Sequence, residues 1–449
     1  MESISLEKKP QVAALLFNHK DHLPTHFGNL KIVGTATEEI VKYRALHASE
    51  PRYTRVAALA ATTDTSTLVQ PEQQPVISCT DYVKQIYQSN NFNMMGSLQD
   101  QAQRDIQPIL DNIKEFGDAA WVKVEALNGE QFYMTWTQNA SIWSYTPTLT
   151  PSTDADKVKD PNAKFQAVAQ FGTYSNSTNI AGTQSFKIGL IEQILKSVCS
   201  LIIAKAVSTL LPEGLSFLAS QFSEAITQSA SSIGLNILKF IVPAEFLGPI
   251  AGNLVFTVIF IGLKMLWDWM NREYSIRVQV FNWDTVNDWQ LTKQAKSNAV
   301  NPGLDPTIND FNLTIKKMSG MSDGVYPPDF TPRTSFDTVV HYALIVYGND
   351  SKFMEGLSFA IDANIATDTT TGFSYCFKCP RLANNAQYVQ GSVVDAEKFL
   401  KDADTNGNWS AFLQQQVTAG GKPIAVCLDR LNGAPDNLYN INVHINAPQ

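Results

Sequence analysis

The chain has 449 residues, enough for two or three domains with cores of their own. Apolar residues make up 44% and charged residues 17%, with Ser, Thr, Asn and Gln in place of the missing charge. That balance suits β-rich and extracellular proteins, and equally soluble proteins that keep membrane-compatible segments folded away. A net charge of −8 argues against a nucleic-acid partner, which calls for a basic face, and leaves membrane contact through apolar surface open.

The first residues, "MESISLEKKPQVAALLFNHKDHLP", lack a signal peptide's order of basic segment, apolar run and small-residue cleavage site. The expectation is a soluble protein that is cytosolic in its producer, leaves by another route, or has already lost a leader. Residues 1–76 read as a weakly structured segment and linker, with one helix opened by a capping box of Thr35 and Glu38. "ATTDTSTLVQPEQQP" reads as the linker. Over 77–184, helical spacing in "TDYVKQIYQ" and "LQDQAQRDIQPILDNIKEF" gives way to two alternating runs joined by Asn128-Gly129, which predict a hairpin with a type I′ turn.

From 185 to 272 the spacing predicts apolar and amphipathic helices. The first carries Ile191, Ile194, Leu195, Val198 and Ile202 on one face, and Lys187, Glu192, Lys196 and Lys205 on the other. The last, "FLGPIAGNLVFTVIFIGLKMLWDWMNRE", opens with 18 uncharged residues, near the lower limit of a membrane span. Val255, Phe256, Ile259 and Phe260 make it apolar on every side, and Trp267 and Trp269 close it. A helix apolar all round is normally buried, so the expectation is a helical bundle around this one hydrophobic central helix. From 273 to 449 alternation returns in "YSIRVQVFN", "DTVVHYALIVYG", "GFSYCFKCP" and "NLYNINVHIN", which predicts an antiparallel β-sandwich. A short helical insertion is expected over "DAEKFLKD" and "WSAFLQQQV". The fold class is therefore α+β.

Few residues suggest chemistry. Asp402, Asp404 and Asn406 match the first half of a calcium loop, but Leu413 stands where the bidentate Glu belongs, so a plain turn is preferred. Cys376 and Cys379 form a CxxC without a second ligand pair, and His19, His22 and His26 are interrupted by Pro24. The five cysteines are odd in number and sparse, unlike a disulfide framework. No nucleophile elbow, phosphate loop, dinucleotide fingerprint or HExxH is present, so the chain reads as a non-enzyme with no cofactor and no metal. Trp283 and Trp289 are the candidates for contact with a ligand or membrane, by stacking on sugars or resting at a headgroup layer.

Neutral amphipathic helices around an apolar one, followed by a polar β-domain, resemble two-part pore-forming toxins, and the insecticidal Cry proteins in particular. The C-terminal part is more loosely similar to membrane-binding sandwiches of the actinoporin type. The resemblance concerns the architecture of 185–449 and matches no motif, so it carries no residue over. Strand-like segments also precede the helices here, whereas in Cry proteins the helical domain opens the toxin core. It implies a soluble pore-forming toxin, insecticidal in the Cry case, that binds a target membrane, surface receptor or glycan through its β-domain. Its helices then insert and assemble a homo-oligomeric pore. The alternatives are a non-enzymatic carbohydrate- or protein-binding sandwich on a static helical scaffold, and a constitutively anchored membrane protein.

Overall fold

A computed structural model describes residues 23–46, 70–154, 163–190, 192–211, 216–235, 253–255, 274–301, 309–321, 326–350 and 356–448. They form an α+β fold with a 13-stranded mixed sheet, a five-stranded antiparallel sheet and a short two-stranded pair.

The described parts of the N-terminal region form regular elements. Strand β1 (Lys31–Thr35) leads directly into helix α1 (Ala36–Leu46). The capping box forms: the Thr35 amide donates to Glu38 Oε2 at 2.9 Å, and the Glu38 amide donates to Thr35 Oγ1 at 3.3 Å. Part of the expected linker is instead strand β2 (Gln70–Cys79). Helices α2 (Asp81–Gln88) and α3 (Phe92–Phe116) fall where the spacing places them, and Asn91 caps α3 by accepting from the Met94 amide.

Five antiparallel strands follow: β3 (Val122–Glu125), β4 (Gln131–Trp136), β5 (Ala140–Pro151), β6 (Phe165–Ser175) and β7 (Ile180–Leu190). The β3–β4 hairpin is present, with a different turn. Gly129 has φ 80° whereas Asn128 has no positive φ, and the Gly129 amide donates to Ala126 O at 2.9 Å. This is a type I turn closed by a left-handed glycine rather than a type I′ turn, the three-residue solution to the same strand twist.

Where a helix is expected from 185, β7 continues to Leu190 and helix α4 runs over Lys196–Leu210. Strand β8 (Ser216–Leu218) then precedes helix α5 (Ala219–Ser232). Most of the expected central helix lies outside the described residues. Asn253–Val255 within it form strand β9, paired with β8. A short, fully apolar run has no periodicity that separates a buried strand from a buried helix.

The C-terminal strands are β10 (Ser275–Asn282), β11 (Trp289–Ser297), β12 (Ala299–Val300), β13 (Asp310–Ile315), β14 (Thr338–Asn349), β15 (Leu357–Ile365), β16 (Asp368–Cys379), β17 (Ala386–Gln390), β18 (Gln414–Ala419), β19 (Lys422–Leu428) and β20 (Leu438–Ile445). Helix α6 (Ala396–Asn406) is the insertion; "QQQVTA" beyond it is strand β18, where more helix is expected. The large sheet runs β1-β3-β4-β5-β6-β7-β2-β14-β10-β20-β19-β18, and β12 pairs with β14. Pairing of β2 with β14 makes one sheet out of both halves of the chain. The β10–β20 pair is parallel, so this sheet is mixed rather than antiparallel. The second sheet is β13-β11-β15-β16-β17.

Strand alternation divides the core. On β14, Val340, Tyr342, Leu344 and Val346 join the cluster under the helices, while Ala343, Ile345 and Tyr347 join the cluster shared with the five-stranded sheet. Both faces of β14 are covered, which explains its nearly continuous apolar sequence. On the other face of the N-terminal strands, Phe132, Trp136, Trp143 and Tyr174 build an aromatic cluster with Phe27 and Phe336.

Candidate functional site

Of the described insertion candidates, helix α4 holds Val198 and Ile202, and it is deeply buried. Val198 and Ile202 are in the core, whereas Leu195, just ahead of the helix, is exposed and Ile194 is partly buried. Its apolar surface rests on β4, β5 and β6 and on α5, so a sheet supplies much of what a helical bundle was expected to supply. Polar contacts also hold it. Ser144 Oγ donates to Ser200 O at 2.8 Å, Trp121 Nε1 donates to Ser208 Oγ at 2.9 Å, and Lys196 and Lys205 pair with Glu130 and Asp118 at 2.8 and 2.6 Å. Ile191, Phe256, Ile259, Phe260, Trp267 and Trp269 lie outside the described residues, and Val255 is in β9.

Trp283 and Trp289 do not reach the surface. Trp283 stacks on Phe281 and His444 and donates its Nε1 to His444 Nδ1 at 2.8 Å, and Trp289 packs on Phe373 in the C-terminal core. The residues that match half of a calcium loop lie in a helix rather than in the plain turn preferred from the sequence. Asp402, Asp404 and Asn406 lie on the last turns of α6, where alternate residues point in different directions and cannot converge. Asp402 pairs with Lys398, and Asp404 accepts from Trp409 Nε1 at 2.8 Å. Cys376 and Cys379 enter different clusters on opposite faces of β16, and His26 is buried against Ser141 and Tyr174. His19 and His22 lie outside the described residues. Among the described residues no group of three or more His, Cys, Asp or Glu is placed to hold a metal.

Two features were not anticipated. The first is an apolar loop end of the C-terminal unit. Leu382 is 94% exposed between β16 and β17, and Phe412 and Leu413 are 67% and 48% exposed between α6 and β18. These loops and the turn after β19 are tied to one another. Gln387 Nε2 donates to Phe412 O at 2.8 Å, the Leu428 amide to Leu413 O at 2.7 Å and the Asn385 amide to Leu431 O at 2.8 Å. The apolar side chains therefore project from a braced platform. In sequence, "AFL" just past a helix looked like more of that helix.

The second is a polar cleft of about 210 Å³ between the first turns of α3 and the outer face of β10 and β20. Parallel pairing sets Arg277 beside Asn440 and Gln279 beside Asn442, while Ile276, Val278, Ile441 and Val443 point into the core. Arg277 Nη2 donates to Gln279 Oε1 at 2.6 Å and Nη1 to Asn440 Oδ1 at 3.4 Å, but its buried Nε has no partner. Burial lowers the Arg277 pKa to about 10. Asp429 accepts from the Asn440 amide and from Asn440 Nδ2 at 3.1 and 2.7 Å, and burial raises its pKa. The signal in the sequence was one arginine at an outward position of "YSIRVQVFN"; nothing local says that a helix would cover it.

No protein family and no curated protein matches the chain. Solved structures with partial similarity include the lipid binding protein Nakanori, 8% identical over 41% of this chain and 76% of that one, with a TM-score of 0.27. RahU protein, solved with a TRIS molecule, is 9% identical over 40% and 98% of the two chains, with a TM-score of 0.19. IP-1A from Alcaligenes faecalis is 10% identical over 40% and 96%, with a TM-score of 0.18. Similarity at this level assigns neither family nor function. Among the described residues no helix is long and apolar enough to cross a membrane.

Proposed function

We propose that the protein is a non-enzymatic pore-forming protein whose C-terminal β-sandwich docks on a target membrane before buried helices insert and oligomerise. The observation that carries this reading is the exposed apolar group Leu382, Phe412 and Leu413 on cross-tied loops. Burying a Leu or Phe side chain is worth ~1.5–3 kcal/mol, and a braced platform loses little conformational entropy on docking. Helix α4 supports the second step. Its apolar surface, now against β4–β6, suits lipid equally well, and a helix keeps its backbone hydrogen bonds internal in a bilayer. Insertion requires breaking the Lys196–Glu130 and Lys205–Asp118 pairs.

Flotation with lipid vesicles tests the docking step. Wild-type protein is expected to float with vesicles, and L382D and F412D, which place a charge at the apolar tips, are expected to remain in the dense fractions. Equal flotation of both variants would refute docking through this end. The cleft at Arg277 favours the second reading, a ligand-binding module on a static scaffold, which predicts ligand binding without membrane damage.

A further inference from the structure

The cleft under α3 holds a buried cation with no direct ion pair among the described residues, although Asp429 acts on it from a distance. Arg277 is 7% exposed, and among the described residues it forms no ion pair; the oxygens nearest its guanidinium belong to neutral amides. Keeping a charge out of water without a counter-ion is costly, and such charges normally recruit one. Gln279 and Asn440 each accept from the guanidinium and orient it where Arg277 lines the cleft, and its buried Nε–H has no hydrogen-bond partner. A second guanidinium, Arg430, lines the same cleft; its Nε makes no hydrogen bond but lies 3.8 Å from Asp429 Oδ2 as an ion pair.

The rest of the lining narrows the ligand. Asp429 is the acid among the lining residues, so with two arginines the cleft carries a single net positive charge (+2 − 1 = +1) in a chain whose net charge is −8. That suits a monoanion, and the carboxylate of Asp429 disfavours a phosphate dianion. Most other polar lining groups are amides, including Gln99 on α3 and Asn442 on β20. A carboxamide offers a donor and an acceptor side by side, and so does each hydroxyl of a sugar. Asp429 is an acceptor for further hydroxyls, and half-buried Phe92 offers an apolar face at the wall. A cleft of about 210 Å³ has room for a small ligand such as one monosaccharide unit.

We infer that this cleft binds a carboxylate-bearing monosaccharide unit, with Arg277 on the carboxylate and the amides and Asp429 on the hydroxyls. The site shares no residue with the apolar loop tips, so it stands whether or not the protein acts on membranes.

Calorimetric titration of the full chain in the absence of lipid tests it, with D-glucuronic acid and N-acetylneuraminic acid against glucose, N-acetylglucosamine and inorganic phosphate. At least one acidic sugar is expected to bind at least about tenfold more tightly than either neutral sugar or phosphate. Q99E adds a like charge at the partly exposed wall, and R277Q removes the cation. Both are expected to weaken that binding at least about tenfold, with Q99E retaining the wild-type circular dichroism spectrum. Q99E keeps the test informative if loss of Arg277 disturbs folding. Absence of binding by both acidic sugars, equal binding of neutral ones, tighter binding of phosphate, or unchanged binding in folded Q99E would each overturn the inference.

Discussion

Three buried histidines are held neutral by the fold. Burial lowers His26 and His444 to about 3 and His341 to about 4, with Lys316 adding to the effect at His341. Each unfolds to a value of about 6.5, so the unfolded chain binds more protons than the folded one below that pH. Their contribution to stability is complete above about pH 6.5 and is lost as pH falls toward the folded values. The melting temperature is expected to drop steadily between about pH 6.5 and pH 4, and H341Q should flatten that slope. A flat profile would contradict the neutral state assigned to these rings. Gly172 makes an equally specific prediction: a Cβ there would lie 2.1 Å from the Trp143 ring on the neighbouring strand. G172A is expected to cost ~1–3 kcal/mol in chemical denaturation, as overpacking does. At this scale the sequence was least informative. Trp283 and Trp289 read as candidates for contact with a ligand or membrane, and only the pairing of distant strands shows that both are enclosed.

Among the elements, the local signals that survived are those in which neighbours in sequence are also neighbours in space. Thr35 and Glu38 satisfy each other's amides, and Gly129 closes the β3–β4 hairpin. The misplaced elements lack such signals. Nothing between Phe186 and Leu195 marks a helix start, and a run read as one helix is the end of β7 followed by α4. "SAFLQQQV" likewise has spacing compatible with a helix, yet Gln414–Ala419 gain strand hydrogen bonds from β19. Helix α4 deserves a direct measurement because it is both a core element and a proposed inserting one. I202A removes a fully packed side chain and is expected to cost ~2–5 kcal/mol. Amides of α4 in the wild type should exchange with solvent near the slowest rates in the chain. Fast exchange there in the absence of lipid would mean that the helix is not held by the contacts described.

For the whole molecule, the α+β class was legible from the change of period along the chain, but the closing of one sheet by strands from both ends of the chain was not. Pairing of Val76–Cys79 with Thr338–His341 joins N- and C-terminal strands into one sheet, and no sequence pattern announces a partner more than 250 residues away. The same long-range closure brings α3 over β10 and β20 and so creates the cleft at Arg277. It also assembles the loop platform that carries Leu382 and Phe412. The proposed activity combines that exposed platform with an apolar helix stored against a sheet. Release of a trapped dye from lipid vesicles by the purified full chain, over several lipid compositions and pH values, tests that combination most directly. The account predicts leakage from at least one composition, abolished by F412D and accompanied by loss of exchange protection in the segments packed around α4. Intact vesicles under every condition, with α4 and its surroundings still protected, would contradict it.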